Sequence, residues 1–165
     1  MERYLNNNKG QALLDLILAV MILGIVSVIS LNLLSSLSKS IEIAKQKLEA
    51  KYLLQQEVES LYAIEYQSWS YLQNGEYYLS YNSVNNPPSQ IQGWYLTAGS
   101  QKYNEYTEYI TISPAYRENA NTVTTDSSYP NDTNTKEVTA TVSFTSFGKT
   151  YTYSESEYFT NWQQF

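Results

Sequence analysis

The side chains that most often run catalysis are missing from this sequence, which has no histidine and no cysteine. That removes the commonest general base and metal ligand, along with thiolate nucleophiles and disulfides. Carboxylates remain. Glu155 and Glu157 alternate at strand spacing, and such a pair could in principle hydrolyse a glycoside, although paired surface acids are usually just solvated. Asp126, Ser127, Ser128 and Asp132 offer oxygens to a hard cation in a turn-rich stretch, but without the spacing of an EF-hand loop. Neither a glycine-rich phosphate loop nor a serine elbow occurs. We therefore expect no catalytic residues, no metal and no cofactor. Asn131-Asp132-Thr133 fits the N-glycosylation pattern.

Asp15 is a different kind of acid, because it sits at the edge of an apolar run. Residues 16–34 carry no charge over 19 positions, interrupted only by Gly24, Ser27, Ser30 and Asn32. A membrane crossing takes about 20 apolar residues, and extension back through Ala12, Leu13 and Leu14 supplies them. A buried core helix would show a polar face at a 3.6-residue period, and this run shows none. It reads as a membrane helix. The small residue Gly10 precedes the run instead of following it, the reverse of a secretory signal peptide. The chain as a whole is acidic, with net charge −6 over 165 residues, and residues 52–165 hold 4 basic against 12 acidic side chains. Nucleic acid is thus not an expected partner of this domain, since phosphate binding draws mainly on Lys and Arg.

The run Lys9-Gly10-Gln11-Ala12-Leu13-Leu14-Asp15-Leu16-Ile17-Leu18 resembles the leader of type IV pilins and pseudopilins, and its basic-Gly-Gln form is similar to the archaeal class of such leaders. The resemblance implies that a prepilin peptidase cuts after Gly10, leaving Gln11 as the new terminus and Asp15 as the fifth residue of the mature chain. It implies that Asp15 and Gly24, the latter matching a helix glycine of the family, serve filament assembly. Two positions depart from the best-known pattern: Gln11 stands where Phe is usual, and Asp15 where Glu is usual. N-methylation of a Phe therefore has no substrate. The proline that often follows the helix glycine is also absent, the first proline being Pro87.

Physics sets the stakes for Asp15. An acid at the centre of a membrane helix costs roughly 2.5–3.5 kcal/mol. About 6 Å from the new terminus, Asp15 would stay near the headgroups in a lone subunit. Among packed helices it would need a partner charge, and the resemblance supplies the α-amine of a neighbour's Gln11. The plainer alternative is an interfacial acid that snorkels.

The elements that would position these residues follow from composition. Residues 36–66 contain no Pro or Gly and are rich in helix formers, so one helix from residue 11 to about 66 is expected, about 84 Å long. Leu37, Ile41, Ala44 and Leu48, then Ala50, Leu54, Val58 and Leu61, form an apolar stripe, with Glu42, Gln46, Lys47 and Lys51 on the opposite faces. Packing of that stripe on a sheet is the preferred reading. A coiled coil is the alternative, with its pattern decaying at Lys51 and Gln55. Residues 67–165 change character. Runs 76–81, 93–97, 106–112, 137–145 and 150–159 read as strands, with residues 85–88 and 119–136 as loops and Gly148 in a hairpin turn. Val138, Ala140, Val142 and Phe144 alternate with Thr139, Thr141 and Ser143, giving one buried and one wet face. This region holds 10 Leu, Ile and Val against 20 aromatics, so aromatic rings are expected to supply most of its core. Tyr103, Tyr106 and Tyr109, like Tyr77, Tyr78 and Tyr81, are read either as an adhesive or interface face or as core filling.

Two further patches extend the resemblance. Residues 49–61 with Trp69 are similar to the helix segment of minor pilins, and the ending through Tyr158-Phe159-Thr160-Asn161-Trp162 is similar to their closing hairpin. The expected architecture is α+β: a cleaved leader (1–10), a transmembrane assembly helix (11–35), its amphipathic continuation (36–66) and a β-rich extracytoplasmic domain (67–165) with a small antiparallel sheet. The expected function is a minor pilin or pseudopilin of a type IV pilus, type II secretion or related filament. Its implied partners are prepilin peptidase, other pilin subunits, the inner-membrane assembly platform and membrane lipid. Arg3 and Lys9 favour a cytoplasmic N-terminus, Lys39, Lys45 and Lys47 weaken that bias, and the resemblance places the C-terminal domain outside. The rival reading is an uncleaved, membrane-anchored binding module that does not polymerise.

Overall fold

A helix without an internal proline has no local reason to stop, and α1 runs from Asn7 to Gln67 in the computed structural model, 61 residues in all. The structure describes residues 7–82 and 93–162; the first six residues of the expected leader and the expected loop at 85–88 lie outside these. The chain divides into two compact units, Met1–Lys45 and Gln46–Phe165.

In the first unit, the large apolar side chains between Leu13 and Leu37 are 49–67% exposed, so nothing among the described residues covers them. Four of its hydroxyls are bonded within the helix. The hydroxyls of Ser27, Ser30, Ser38 and Ser40 each donate to the carbonyl four residues back, at 2.8–3.0 Å. A bare donor in hydrocarbon costs several kcal/mol, and this back-bonding removes two of them, Ser27 and Ser30, from the apolar run. The helix is long and apolar enough to cross a membrane, with an 18-residue window of mean hydropathy 2.8.

The second unit packs the end of α1 on a seven-stranded antiparallel sheet. Its strands are β1 (Gly75–Asn82), β2 (Gly93–Ala98), β3 (Gln101–Tyr103), β4 (Tyr106–Asn119), β5 (Thr122–Thr124), β6 (Asn131–Ser146) and β7 (Lys149–Thr160). The order is β2-β1-β4-β6-β7. β6 follows one edge of β4 from Tyr106 to Tyr116, while β3, β1 and β5 pair successive lengths of the other. The five strand runs expected from the sequence are all present. The expected loop at 119–136 is instead largely strand, holding β5 and the start of β6; Thr, Val and Asn there pair because β4 extends past Pro114 to receive them. The register shifts between Pro114 and Ala115, and such a bulge is where a strand tolerates a residue without an N–H. β6 and β7 join through Phe147 (φ +48°) and Gly148 (φ +77°), the two left-handed positions of a type I′ hairpin turn.

The core corrects two expectations. Its buried centre is mostly aliphatic, with Leu54, Leu61 and Ile64 from α1 over Ile110, Ile112, Val138 and Val142, and among the described residues only Tyr106, Phe144 and Phe159 as buried rings. Trp69, Tyr77, Trp94, Tyr151 and Tyr153 form a partly buried border. Helix leucines fill the middle, and rings with polar tips stay where those tips reach water. The outer face of β6 is also drier than its pattern suggests. Thr141 is only 5% exposed, because it lies in a central strand between Tyr109 and Ser154.

Candidate functional site

On α1 the buried positions are Ala50, Leu54, Glu57, Ser60, Leu61 and Ile64; all but Ser60 follow a 4-3-4-3 spacing that keeps one stripe toward the sheet. The stripe therefore passes through Glu57 and not, as expected, through Val58, which is only half-buried. Gln46 and Lys47 also turn out to be half-buried and lie toward the sheet: Gln46 Nε2 donates to Glu105 Oε1 at 2.9 Å, and the Lys47 ammonium lies 5.0 Å from the centre of the Tyr151 ring. Leu37, Ile41, Ala44 and Leu48, the front of the expected stripe, are exposed.

Glu57 is 3% exposed, and neither of its carboxyl oxygens has a hydrogen-bond partner among the described residues. Across from it β4 presents Tyr106, Glu108, Ile110 and Ile112 in one alternating row, so Glu108 takes an apolar slot of the strand as Glu57 takes one of the helix. Glu108 Oε1 is buried and unpartnered as well. Burial, and then repulsion from Glu108, pushes Glu57 up to about 9; burial raises Glu108 also. Two ionised carboxylates cannot share a dry site without a cation, so Glu57 holds its proton at neutral pH. The two acids line a partly open cavity of about 270 Å³ together with Leu53, Gln56, Leu79, Trp94, Gln101 and Tyr103.

The residues singled out from the sequence fall elsewhere. Gly10, Gln11, Asp15 and Gly24 all lie in α1 in the first unit, and each is exposed. A side chain added at Gly10 or at Gly24 would meet nothing within 4 Å. Gly10 and Gln11 are helical, since α1 starts at Asn7. Glu155 and Glu157 do not line the acidic cavity; Glu157 instead accepts a hydrogen bond from the Tyr62 hydroxyl, which raises the tyrosine's proton affinity. The loop acids are occupied with local structure. Asp126 accepts from the backbone N–H of Ser128 at 2.9 Å, and that bond holds its carboxyl below the usual range. Asp132 Oδ2 takes both Arg117 (2.6 Å) and Thr135 (2.7 Å). Burial would raise Asp132, but the bonds from Thr135 and Arg117 outweigh it and hold the carboxyl low.

The repeated tyrosines do not make one face. Tyr106 is buried under α1, where its hydroxyl donates to Glu49 Oε2 at 3.1 Å, while Tyr103 is 51% exposed on β3. A three-residue spacing matches neither side of a two-residue pleat, so such repeats scatter over both.

Sequence reasoning missed the acid pair. One signal was present: an acid at the i+7 position of the Ala50 stripe, and another within an alternating apolar strand. Comparison with protein-family profiles, with curated proteins and with solved structures finds no match to this chain.

Proposed function

We propose that this chain is a pilin-like filament subunit, a minor pilin or pseudopilin, held in the membrane and then in the filament by the first part of α1. The observation that supports it best is the uncovered apolar surface of residues 13–37 on a helix that runs on, without a break, into the stripe packed against an antiparallel sheet. A subunit that only needed an anchor could join it by any linker; an unbroken helix suits transfer from lipid into a bundle of like helices. In this reading Asp15 pairs with the α-amine of Gln11 on a neighbour, and the serine back-bonds let the same helix enter a dry bundle without stray donors.

Cleavage after Gly10 requires the first turn of α1 to open, and glycine at that turn lowers the cost by roughly 1 kcal/mol relative to alanine. The helical state of Gly10 is also the one observation that favours the rival, an uncleaved anchored module, because a signal anchor needs no such opening. N-terminal sequencing of the protein recovered from cells separates them. The filament reading expects a chain beginning at Gln11, and a Gly10→Val variant that stays uncleaved. Asp15→Ala is then expected to be cleaved and membrane-resident yet depleted from filaments. An intact Met1 in cells that hold the peptidase overturns the reading.

A further inference from the structure

The geometry points to the Glu57–Glu108 cavity as a binding site for an organic cation of the alkylammonium class. This inference does not rest on the filament reading, and it concerns residues of the second unit alone. Three features converge. Both oxygens of Glu57 and one of Glu108 are buried acceptors with no donor among the described residues, and buried polar groups are otherwise almost always paired. An ammonium brings up to three N–H donors and one positive charge, which matches these orphaned oxygens. The walls are Trp94, Tyr103, Leu53 and Leu79, surfaces that suit the carbon stem of an alkylamine and, at the rings, its charge.

A hard metal ion fits this site less well. Calcium takes six to eight oxygens, commonly from several carboxylates, and no group of three or more acids comes together among the described residues. The cation could be a free amine or a lysine side chain borne on a protein; the recognition chemistry is the same.

The proton on Glu57 makes the proposal quantitative. Glu57 is raised to about 9, so at pH 7 the cavity carries a neutral carboxyl that must release its proton to the buffer as the ammonium enters. The titratable groups lining the cavity are Glu57 from α1, Glu108 from β4 and Tyr103 from β3; β1 and β2 contribute the uncharged Leu79 and Trp94. An alkylammonium keeps its own charge to about pH 10, as lysine does. Affinity should therefore climb with pH, by up to about tenfold per unit, until Glu57 ionises unaided.

The test is calorimetric titration of the full chain in nonionic detergent micelles with n-butylammonium chloride. We expect one saturable site, an affinity that rises from pH 7 to pH 8.5, and a heat that differs between phosphate and Tris because about one proton leaves. Glu57→Gln should weaken binding at least tenfold and erase the buffer-dependent heat; Glu108→Gln should weaken it at least threefold. If Glu57→Gln does not fold, the pH and buffer dependence of the unaltered chain decides. An N-acetyl-lysine methylamide that binds more tightly than n-butylammonium identifies a protein-borne lysine as the source, and the opposite order identifies a free amine. No saturable binding at pH 8.5, unchanged binding by a folded Glu57→Gln, or displacement by micromolar calcium overturns the inference.

Discussion

Two stretches of α1 solve opposite problems with the same backbone. Between Leu16 and Leu34 the large apolar side chains are uncovered on every side, and the hydroxyls of Ser27 and Ser30 are turned back onto the helix's own carbonyls. Between Ala50 and Ile64 only one stripe is apolar, it is buried, and in its middle sits Glu57 with both oxygens unpartnered. The first stretch suits a solvent that cannot hydrogen-bond: it carries no charge, and both of its hydroxyls are bonded within the helix. The second tolerates an unsatisfied acid beside a cavity, at a cost that a purely structural helix would not bear. Where a chain leaves a buried acid bare while satisfying its exposed serines, the bare acid is the better pointer to function.

The contrast can be broken most sharply by truncation in each region. Phe144→Ala, in the sheet row under α1, should destabilise the second unit by about 3–5 kcal/mol. Ile22→Ala, at a position 60% exposed, should leave that unfolding transition within about 0.5 kcal/mol. Chemical unfolding of the full chain in detergent, followed by near-ultraviolet circular dichroism, reads both. Equal effects would mean that the two stretches are not energetically distinct.

Acid–base linkage gives a smaller, pH-graded effect. Glu57 titrates near the ordinary carboxyl value of 4.5 when unfolded and near 9 when folded. Above pH 4.5 the folded chain keeps a proton that the unfolded chain has shed. The stability this provides is thus complete below pH 4.5 and is lost as pH rises toward 9, by at most about 1.4 kcal/mol per unit. Glu108 and Glu65 are raised too and act in the same direction. Asp132 is lowered, so its contribution disappears only in acid, outside this window. Unfolding midpoints measured from pH 5 to pH 9 should fall, and Glu57→Gln should flatten the slope. A slope undiminished in the variant would place the linkage elsewhere.

The least effect is expected at the β6–β7 turn. Phe147 holds φ +48° ahead of Gly148, a left-handed backbone that costs most residues about 1–2 kcal/mol and costs Asn less. Phe147→Asn should raise stability by about 0.5–1 kcal/mol by the same unfolding assay, with no change in the pH slope.

How much of this could be read in advance depends on the range of the forces involved. The α+β class, the helix end within one residue, the five strand runs and the Gly148 turn follow from hydropathy, propensity and turn chemistry, all of which act over a few residues. The strands at 119–136 escaped notice because Thr and Asn pair there only when β4 is present to receive them. The dry middle was misjudged because counting residues 67–165 by themselves left out the leucines that α1 brings.

For the first unit the sequence alone was sufficient: 19 uncharged residues in a row make a membrane-compatible helix whatever follows them. Gly10, Gln11 and Asp15 were likewise legible as residues, and their service in a filament is for the sequencing and depletion experiments to decide. The acid pair was a decision of the tertiary structure. Glu57 and Glu108 stand 51 positions apart in the chain, and the apolar pattern around each one does not show that they meet. Only the packing of α1 across β4 removes their water, and the loss of that water is what raises their proton affinity and opens a site for a cation.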